Sequence, residues 1–371
     1  IVIQERENDL VGASFGRGFF VLDDYSALRE MTKENLSKKG KLFKPRDAKL
    51  FKPRNSLGNT GGQFYVAKNP TYGAVFTYHL NDVPSTSKSK RIRSERMLNK
   101  DMKDIPFPGY DALAAEMEEK SPSIILTIKD SDGNHIRNIK KNASKGSGKI
   151  AWNLRHKSYY PVRAGRSVSS WYYNPSGPYV TPGEYHAELF MEKDGTVEKL
   201  DGPISFNVKP LRKGTLQGSS YDEYNSFRIK LSSLYVDISK YEDEFRLMGN
   251  KIQILEKASM QLETFSPDML KKVADMKSKY NKLELEYESN PARDEIGEWD
   301  KVTLSTRIRI AMQGLSTSYG PTDLNLSNLD IAEKMFNEYK VVIENLKSEL
   351  EKLEKEVKDL NPPHISGSGI N

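Results

Sequence analysis

The sequence contains no cysteine among its 371 residues. Disulfide bonds, thiolate nucleophiles and metal sites ligated by Cys are therefore excluded. The absence suits both a reduced cytosol and a cysteine-poor exported bacterial protein, so it does not fix the compartment. Long apolar runs are also missing: none approaches the ~18 residues that a membrane-spanning helix needs. The sequence therefore predicts no transmembrane segment.

Signatures of nucleotide-binding proteins and of metal enzymes are missing as well. The chain has neither the Gly-x-x-x-x-Gly-Lys of phosphate-binding loops nor the glycine fingerprint of dinucleotide-binding folds. Its histidines form no i, i+4 pair of the kind that binds zinc on a helix; they are His79, His135, His156, His186 and His364. We therefore expect no cofactor and no metal site.

The excess of positive charge is small. Lys and Arg number 57 against 51 Asp and Glu, a formal net charge of +6 that is spread along the chain. Such a figure does not favour nucleic-acid binding. Residues 38–54 and 88–103 are basic, and Phe43 and Phe51 have rings that can stack on bases. Solvated loops or protein-docking arms are nevertheless the favoured interpretation of both stretches.

The first 24 residues predict two short β-strands. Residues 10–15 and 19–22 are apolar, and Gly16, Arg17 and Gly18 between them indicate a tight turn. Two strands alone are only marginally stable, so their partners must come from elsewhere in the fold or from sequence upstream. Arg17 is a candidate ligand-binding residue, because glycine lets a ligand approach the backbone and a guanidinium binds carboxylates bidentately. A purely structural turn is the alternative.

The middle of the chain predicts a β-sandwich. Residues 84–107, which are basic and show little apolar periodicity, predict a long solvated loop after a strand at 74–80. Strand-sized runs then follow, separated by glycine-containing turn signals: 124–129, 135–139, 149–154, 183–192 and 204–208. This pattern is expected of an immunoglobulin-like sandwich, and Trp152 is its predicted core aromatic.

Two groups of side chains in this region have alternative interpretations. Asp130, Asp132 and Asn134 alternate as calcium ligands can, but the glycine and the distant acid of a calcium loop are out of place, which favours a hairpin turn. An aromatic group comprises Tyr159, Tyr160, Trp171, Tyr172, Tyr173 and Tyr179. Exposed rings could stack on sugars or anchor a partner protein, whereas buried rings would pack internally. Trp171, Tyr172 and Tyr173 are the candidate ligand-binding residues.

The last third of the chain predicts long helices. Apolar residues follow a four-three spacing over 227–255 and again over 269–283, after Ser266 and Pro267. A shorter third helix is indicated by Trp299, Val302 and Ala311, and a fourth by the stripe over 329–360, predicted to start at Ser327 and to end before Pro362. Short links predict an antiparallel four-helix bundle. Packing within the chain is favoured over an oligomerisation seam.

Several segments together resemble a known family. Residues 10–24 (LVGASFGRGFFVLDD) resemble the closing segment of bacterial sortilin-like, sialidase-repeat β-propellers. The similarity continues, in the family's order, through the segments NPTYGAVFTY (69–78), AWNLR (151–155), GPYVTPGEY (177–185) and YGPTD (319–323). The resemblance covers nearly the whole chain, but the family usually carries a His where Phe15 stands, and the propeller itself is missing.

The resemblance implies a multidomain fold of β and α parts. Residues 1–110 would hold the closing propeller strands and a basic extension, 111–212 the immunoglobulin-like β-sandwich, 213–361 the helical bundle and 362–371 a flexible tail. The family's proteins are exported and glycosyl hydrolase-like, which implies an extracellular, periplasmic or outer-membrane setting in a Bacteroidota-like bacterium. Expected partners are other envelope or secreted proteins, glycans, and the propeller upstream in the same protein.

The leading hypothesis for function is a non-catalytic module that braces the propeller and binds protein partners or glycans. Glycoside hydrolysis needs two carboxylates that face one sugar bond, and in this family they would sit on the propeller blades. We therefore predict no catalytic residue in this chain. The alternative is that the segment is part of a glycoside hydrolase whose active site lies on the missing propeller, with Arg17 at its mouth.

Overall fold

The computed structural model describes residues 1–53, 69–162, 176–212, 214 and 216–363. The chain divides into two compact units. The first comprises Ile1–Ser158 and Asn174–Lys213, and the second comprises Tyr159–Tyr173 and Gly214–Asn371. Within the described ranges, no helix has the length and apolar character needed to cross a bilayer.

The first unit is built mainly from β-strands. They are β1 (Val2–Gln4), β2 (Asp9–Ala13), β3 (Phe19–Leu22), β4 (Gly40–Leu42), β5 (Ala48–Leu50), β6 (Ala74–Leu80), β7 (Ser123–Asp130), β8 (His135–Asn142), β9 (Gly146–Trp152), β10 (Arg155–Lys157), β11 (Ser176–Tyr179), β12 (Gly183–Lys193) and β13 (Thr196–Pro210). Its helices are α1 (Ser26–Arg29), α2 (Lys33–Ser37), α3 (Ser87–Lys100) and α4 (Tyr110–Glu118). The strands predicted from apolar runs are confirmed.

Two sheets of this unit share one hydrophobic core. One is five-stranded, with the order β5-β13-β12-β7-β8, and the other is three-stranded, with the order β4-β6-β9. Every pairing is antiparallel except that of β5 with β13. Phe76 packs edge-on against Phe206 at 5.1 Å, and Trp152 lies 5.2 Å from Tyr185 between ring centroids. Trp152 is completely buried, which confirms its prediction as a core residue.

The pairing of the long strand β13 with β12 is irregular. The register between the two strands shifts on either side of Leu189. Gly202 has a φ of +101°, and a side chain there would place its Cβ 2.6 Å from the carbonyl oxygen of Ala187. Only glycine combines this backbone conformation with such a close approach. The irregularity lets β13 follow β12 along its length and still pair with β5 at its end.

The predicted solvated loop over residues 84–107 is wrong, because it contains helix α3. None of the residues in α3 is buried, so the helix has no apolar stripe for the sequence to reveal. It is stabilised locally instead. The Thr86 side chain accepts a hydrogen bond from the Ser89 backbone N–H as an N-cap, and Arg91 pairs with Glu95 one turn ahead and with Glu116 on α4.

The second unit is helical, as predicted. Its helices are α5 (Tyr221–Ser259), α6 (Pro267–Tyr287), α7 (Pro291–Glu295), α8 (Leu304–Gln313) and α9 (Asp323–Lys358). Ser220 and Glu223 form a capping box at the start of α5. Ser266 caps α6 with Pro267 in the first turn, which confirms the predicted start.

The two long helices run parallel. Three contacts between α5 and α9 join residues that are 103 positions apart: Tyr241 with Glu344, Glu244 with Lys347, and Lys251 with Glu354. A constant separation means that the numbering advances in the same direction on both helices. The predicted antiparallel bundle is therefore wrong for this pair.

Helix α6 is antiparallel to α9. Lys272 pairs with Glu356, and Lys279, seven residues further on, pairs with Glu349, seven residues back. α6 has 21 residues against 39 in α5, so at about 1.5 Å per residue it covers only about half of the longer helix. The chain therefore returns in two steps, α6 and then α8. Consequently α9 begins beside the start of α5, where the Ser219 N–H donates to the Tyr319 carbonyl at 2.8 Å.

The helices enclose two successive cores rather than one four-helix core. The first combines α5, α8 and α9, with Tyr287 from the end of α6, around Leu231, Ala311 and Leu329. The second combines α5, α6 and α9 around Leu255, Val273 and Leu350. α5 and α9 contribute to both cores. α8 is the third main helix of the first core, and α6 is the third helix of the second.

Two predicted helix boundaries need correction. The third helix begins at Leu304, so Trp299 and Val302 lie outside it, with Trp299 95% exposed. α9 begins four residues before Ser327. Its first turns bury Asn325 and Asn328 instead of apolar residues, and the apolar stripe therefore becomes visible in the sequence only from Leu329.

Candidate functional site

The N-terminal sheet, formed by β1, β2 and β3 in that order, exposes an unusual amount of apolar surface. The side chains concerned, with their exposed fractions, are Val2 (70%), Ile3 (50%), Phe15 (109%), Phe19 (80%), Phe20 (68%), Val21 (56%) and Leu22 (46%). Successive residues of β3 point to opposite faces of the sheet. Both faces of β3 are therefore apolar and uncovered within the described residues.

Arg17 lies in the turn between β2 and β3, as predicted. Its φ is +66°, and its backbone N–H donates to the Ser14 carbonyl at 3.1 Å. The Gly18 N–H donates to the Ser14 hydroxyl at 3.2 Å, which closes the turn. The Arg17 side chain is exposed. The structural role of the turn is thus plain, while a role of Arg17 in anion binding stays a prediction.

Ser14 also belongs to a motif that the sequence analysis missed. Residues 12–16 read Gly-Ala-Ser-Phe-Gly, which has the letters of the Gly-x-Ser-x-Gly nucleophile motif. In hydrolases that motif needs a strand-to-helix turn with a histidine and an acid nearby. Here the segment joins two strands of a hairpin, and the Ser14 hydroxyl accepts the Gly18 N–H. We therefore assign Ser14 to the turn.

The predicted aromatic group is divided between the two units. Tyr159 and Tyr160 belong to the second unit, where each ring packs edge-on against Tyr235 at 5.3 and 5.2 Å. Burial raises the pKa of Tyr159 above its ordinary value. Tyr179 belongs to the first unit. The candidate residues Trp171, Tyr172 and Tyr173 lie outside the described residues.

The alternating residues Asp130, Asp132 and Asn134 lie in a turn. One carboxylate oxygen of Asp130 accepts the backbone N–H groups of Asp132 and Asn134 at 3.1 and 2.8 Å. Gly133 has a φ of +83°, which suits the hairpin between β7 and β8. The favoured interpretation is confirmed. Across the ranges that the structure describes, no group of three or more His, Asp or Glu side chains is arranged to hold a metal ion.

Cations and tyrosines meet at one edge of the first unit. The guanidinium carbon of Arg155 lies 3.7 Å from the ring centroid of Tyr179, and the Lys52 ammonium lies 5.4 Å from the same centroid. Tyr72 packs edge-on near Tyr179 at 6.4 Å. Arg137 is close enough to Arg155 for their charges to repel. We call Lys52, Tyr72, Arg137, Arg155 and Tyr179 the cation–tyrosine cluster.

The surroundings of the cluster shift its pKa values. Burial first, and then the charge of Arg155, lowers the pKa of Lys52 to about 7. The same two causes lower the pKa of Arg137. Burial raises the pKa of Tyr72 to about 12, although its hydroxyl donates to the Phe51 carbonyl at 2.6 Å. The cluster is thus half-buried and locally rich in positive charge.

A second candidate is a cleft of about 580 Å³ between the end of α6 and the start of α8. Its lining includes Tyr287, which is 7% exposed and whose hydroxyl has no hydrogen-bond partner in the described residues, and the exposed Trp299. The charged groups around it are of mixed sign: Glu242, Glu288, Glu298, Asp300, Lys301 and Arg309. Acidic side chains thus outnumber basic ones by four to two in this lining.

Comparison with known proteins assigns no relative. No family model matches this chain, and no curated protein matches it significantly. The resemblance to sortilin-like propeller proteins therefore stays a prediction that rests on the quoted segments. Function has to be argued from the residues and their arrangement.

A sequence signal for the cation–tyrosine cluster does exist. Residues 48–81 contain four Lys and Arg residues and no Asp or Glu, and residues 133–183 contain nine and none. The cluster lies where these two acid-free stretches meet. The net charge of the whole chain hides this signal, and the two stretches are far apart in sequence.

Proposed function

We propose that this chain is a non-catalytic structural and interaction module whose N-terminal sheet completes a sortilin-like β-propeller. In this proposal β1–β3 are part of a propeller blade. The apolar faces of that blade are covered by the neighbouring blades, which belong to polypeptide outside this sequence.

The observation that carries the proposal is the exposure of β3. Phe19, Phe20, Val21 and Leu22 are consecutive, apolar and 46–80% exposed. Strands that are apolar on both faces normally lie between two covering layers. Propeller blades provide such cover, and they have four strands, whereas this sheet has three. A sheet partner therefore fits this surface better than a small ligand does.

The remainder of the first unit would brace the blade. Arg46 pairs with Glu7 at 3.0 Å, and the Lys149 ammonium donates to the Asp23 carbonyl at 2.9 Å. These contacts attach the N-terminal sheet to the two-sheet core. The core that the two sheets share around Trp152 supports the proposal that they form an immunoglobulin-like sandwich. An extracellular or envelope location, with protein or glycan partners, is also proposed, and the family resemblance supports it.

Hydrogen exchange tests the proposal. We expect the backbone amides of residues 1–22 to exchange fast in the isolated chain and slowly in the protein isolated from its natural source, because neighbouring blades would then cover β3. Amides of β12 should exchange at the same slow rate in both samples. Equal, fast exchange of residues 1–22 in both samples would contradict the proposal.

Two variants sharpen this test. Phe20→Asp places a charge on one of the two apolar faces of β3 and should prevent the slow exchange in the natural protein. Leu28→Asp changes a residue that is 52% exposed outside the sheet, and it should leave the exchange unchanged. Release of sugar from glycoside substrates by the isolated chain, lost in Arg17→Ala, would instead support an enzymatic role.

A further inference from the structure

Among the described residues, the two arginines of the cation–tyrosine cluster hydrogen bond only to neutral partners. Within the described residues, Arg137 hydrogen bonds through Nη1 alone, to Asn153 Oδ1 at 3.2 Å and to the Ser176 hydroxyl at 2.9 Å. Arg155 also bonds through Nη1 alone, to the Gly177 carbonyl at 3.1 Å. A guanidinium has five N–H donors in a planar fork. In the part of the chain that the structure describes, the Nε and Nη2 donors of both arginines therefore have no acceptor.

Within the described residues, no carboxylate neutralises the arginines of the cluster. The described residues contain no ion pair between Arg137 or Arg155 and an acid. In the sequence, the segments 54–68 and 163–175, which lie outside the described residues, contain no Asp or Glu. The local excess of positive charge is therefore a property of the sequence as well as of the fold.

Such an arrangement is costly unless an anion joins it. Half-buried like charges repel one another more strongly than charges in water do. The pKa of Lys52 records this, since the charge of Arg155 helps to lower it. Stacking on Tyr179 offsets part of the cost for Arg155 by a cation–π interaction. A bound oxyanion would offset more of this repulsion, because it would accept hydrogen bonds from the remaining N–H donors and also neutralise positive charge.

We propose that the cation–tyrosine cluster is a binding site for an oxyanion, either free or carried on a sugar. Guanidinium forks match the geometry of carboxylate, sulfate and phosphate oxygens. Lys52 adds a point charge, and Tyr72 and Tyr179 form one wall of the site. This site is separate from the N-terminal sheet, and it does not depend on the proposed propeller.

Calorimetric titration of the whole chain with sodium sulfate tests the site, with sodium chloride at equal ionic strength as the reference. We expect binding that weakens at least about tenfold in Arg155→Gln and in Arg137→Gln, since each loses charged hydrogen bonds. Arg155→Lys keeps the charge without the fork and should show an intermediate loss. Arg93→Gln, which changes an exposed arginine on α3, is the matched control and should bind as the parent does.

Parallel titrations identify the source of the anion. Phosphate and glucuronate are compared with sulfate, and neutral glucose shows whether a sugar without a charge is recognised. Tighter binding of glucuronate than of inorganic anions would support an anionic sugar, and the reverse order would support a free ion. Lys52→Gln provides a further variant if Arg155→Gln does not fold. If the parent chain binds none of sulfate, phosphate and glucuronate, or if all variants bind these anions equally, the proposal is overturned.

Discussion

Lys52 combines a basic side chain with a half-buried position beside Arg155. In the unfolded chain a lysine is charged up to about pH 10.4, whereas in the folded protein the pKa of Lys52 is lowered to about 7. Between these values the unfolded state binds more protons, so stability rises with pH. Below pH 7 the lysine is charged in both states. The burial of its charge beside Arg155 then destabilises the folded state to its full extent.

The destabilising charge of Lys52 at low pH leads to a prediction for Lys52→Met. We expect the substitution to raise the melting temperature at pH 6 and to have a smaller effect near pH 10, because the removed charge penalty exists only at the lower pH. Thermal melts at both pH values measure it. Lys49→Met, on an exposed side chain of β5, should change the two melts equally. Destabilisation by Lys52→Met at pH 6 would show that the charge stabilises the fold.

Gly73 is a second residue whose surroundings dictate its identity. Its φ is +107°, and a Cβ would lie 2.0 Å from the Trp152 carbonyl oxygen. Gly73→Ala should therefore lower the free energy of unfolding by at least about 2 kcal/mol, from backbone strain and a clash together. Gly133 has a similar φ of +83° with open space around it, so Gly133→Ala should cost only about 1 kcal/mol. Chemical denaturation compares the two, and equal costs would contradict the clash.

The junction of α8 and α9 depends on a buried polar side chain. Asn325, which is 6% exposed, accepts the Thr322 backbone N–H at 2.9 Å and donates to the Ile310 carbonyl at 2.7 Å. One side chain thus caps α9 and holds the end of α8. An apolar replacement would leave buried backbone groups without partners.

We therefore expect Asn325→Ala to lower the free energy of unfolding by about 2 kcal/mol, from the lost cap and the unpaired backbone groups. Circular dichroism at 222 nm during urea denaturation measures the change. Asn345→Ala, at an exposed position of the same helix, is the control and should change stability by less than about 0.5 kcal/mol. A similar effect of both substitutions would show that the cap contributes little.

At the scale of the whole molecule, each compact unit has its own hydrophobic core residues. The first unit centres on residues such as Leu126, and the second unit on residues such as Leu350. Each of these leucines is at most 2% exposed, so replacing either with alanine should cost about 2–5 kcal/mol.

Hydrogen exchange measured peptide by peptide should show which elements each substitution destabilises. We expect Leu126→Ala to accelerate exchange in strands of the first unit and Leu350→Ala to accelerate it in α5, α6 and α9, because each cavity weakens the core that contains it. Uniform acceleration over the whole chain by either substitution would show that the two units unfold as one.

Local features of this protein could be predicted from its sequence. The strands of the first unit follow apolar runs between glycine turns, and Trp152 was expected in the core for that reason. The heptad stripes predict α5, α6 and α9, and the Ser266–Pro267 pair predicts the start of α6. These predictions succeed because the signals lie within a few residues of one another. Where burial is absent, as in α3, or polar, as at the start of α9, the same method fails.

The arrangement of these elements was decided only by the tertiary structure. The parallel direction of α5 and α9 follows from α6 being too short to return the chain alone, so α8 completes the return. The meeting of two acid-free stretches at Arg155 likewise depends on β-strand pairings between distant segments. Local periodicity determines which elements form and which faces they bury. Packing over long sequence distances determines which faces meet, and therefore where charges and exposed apolar surfaces gather.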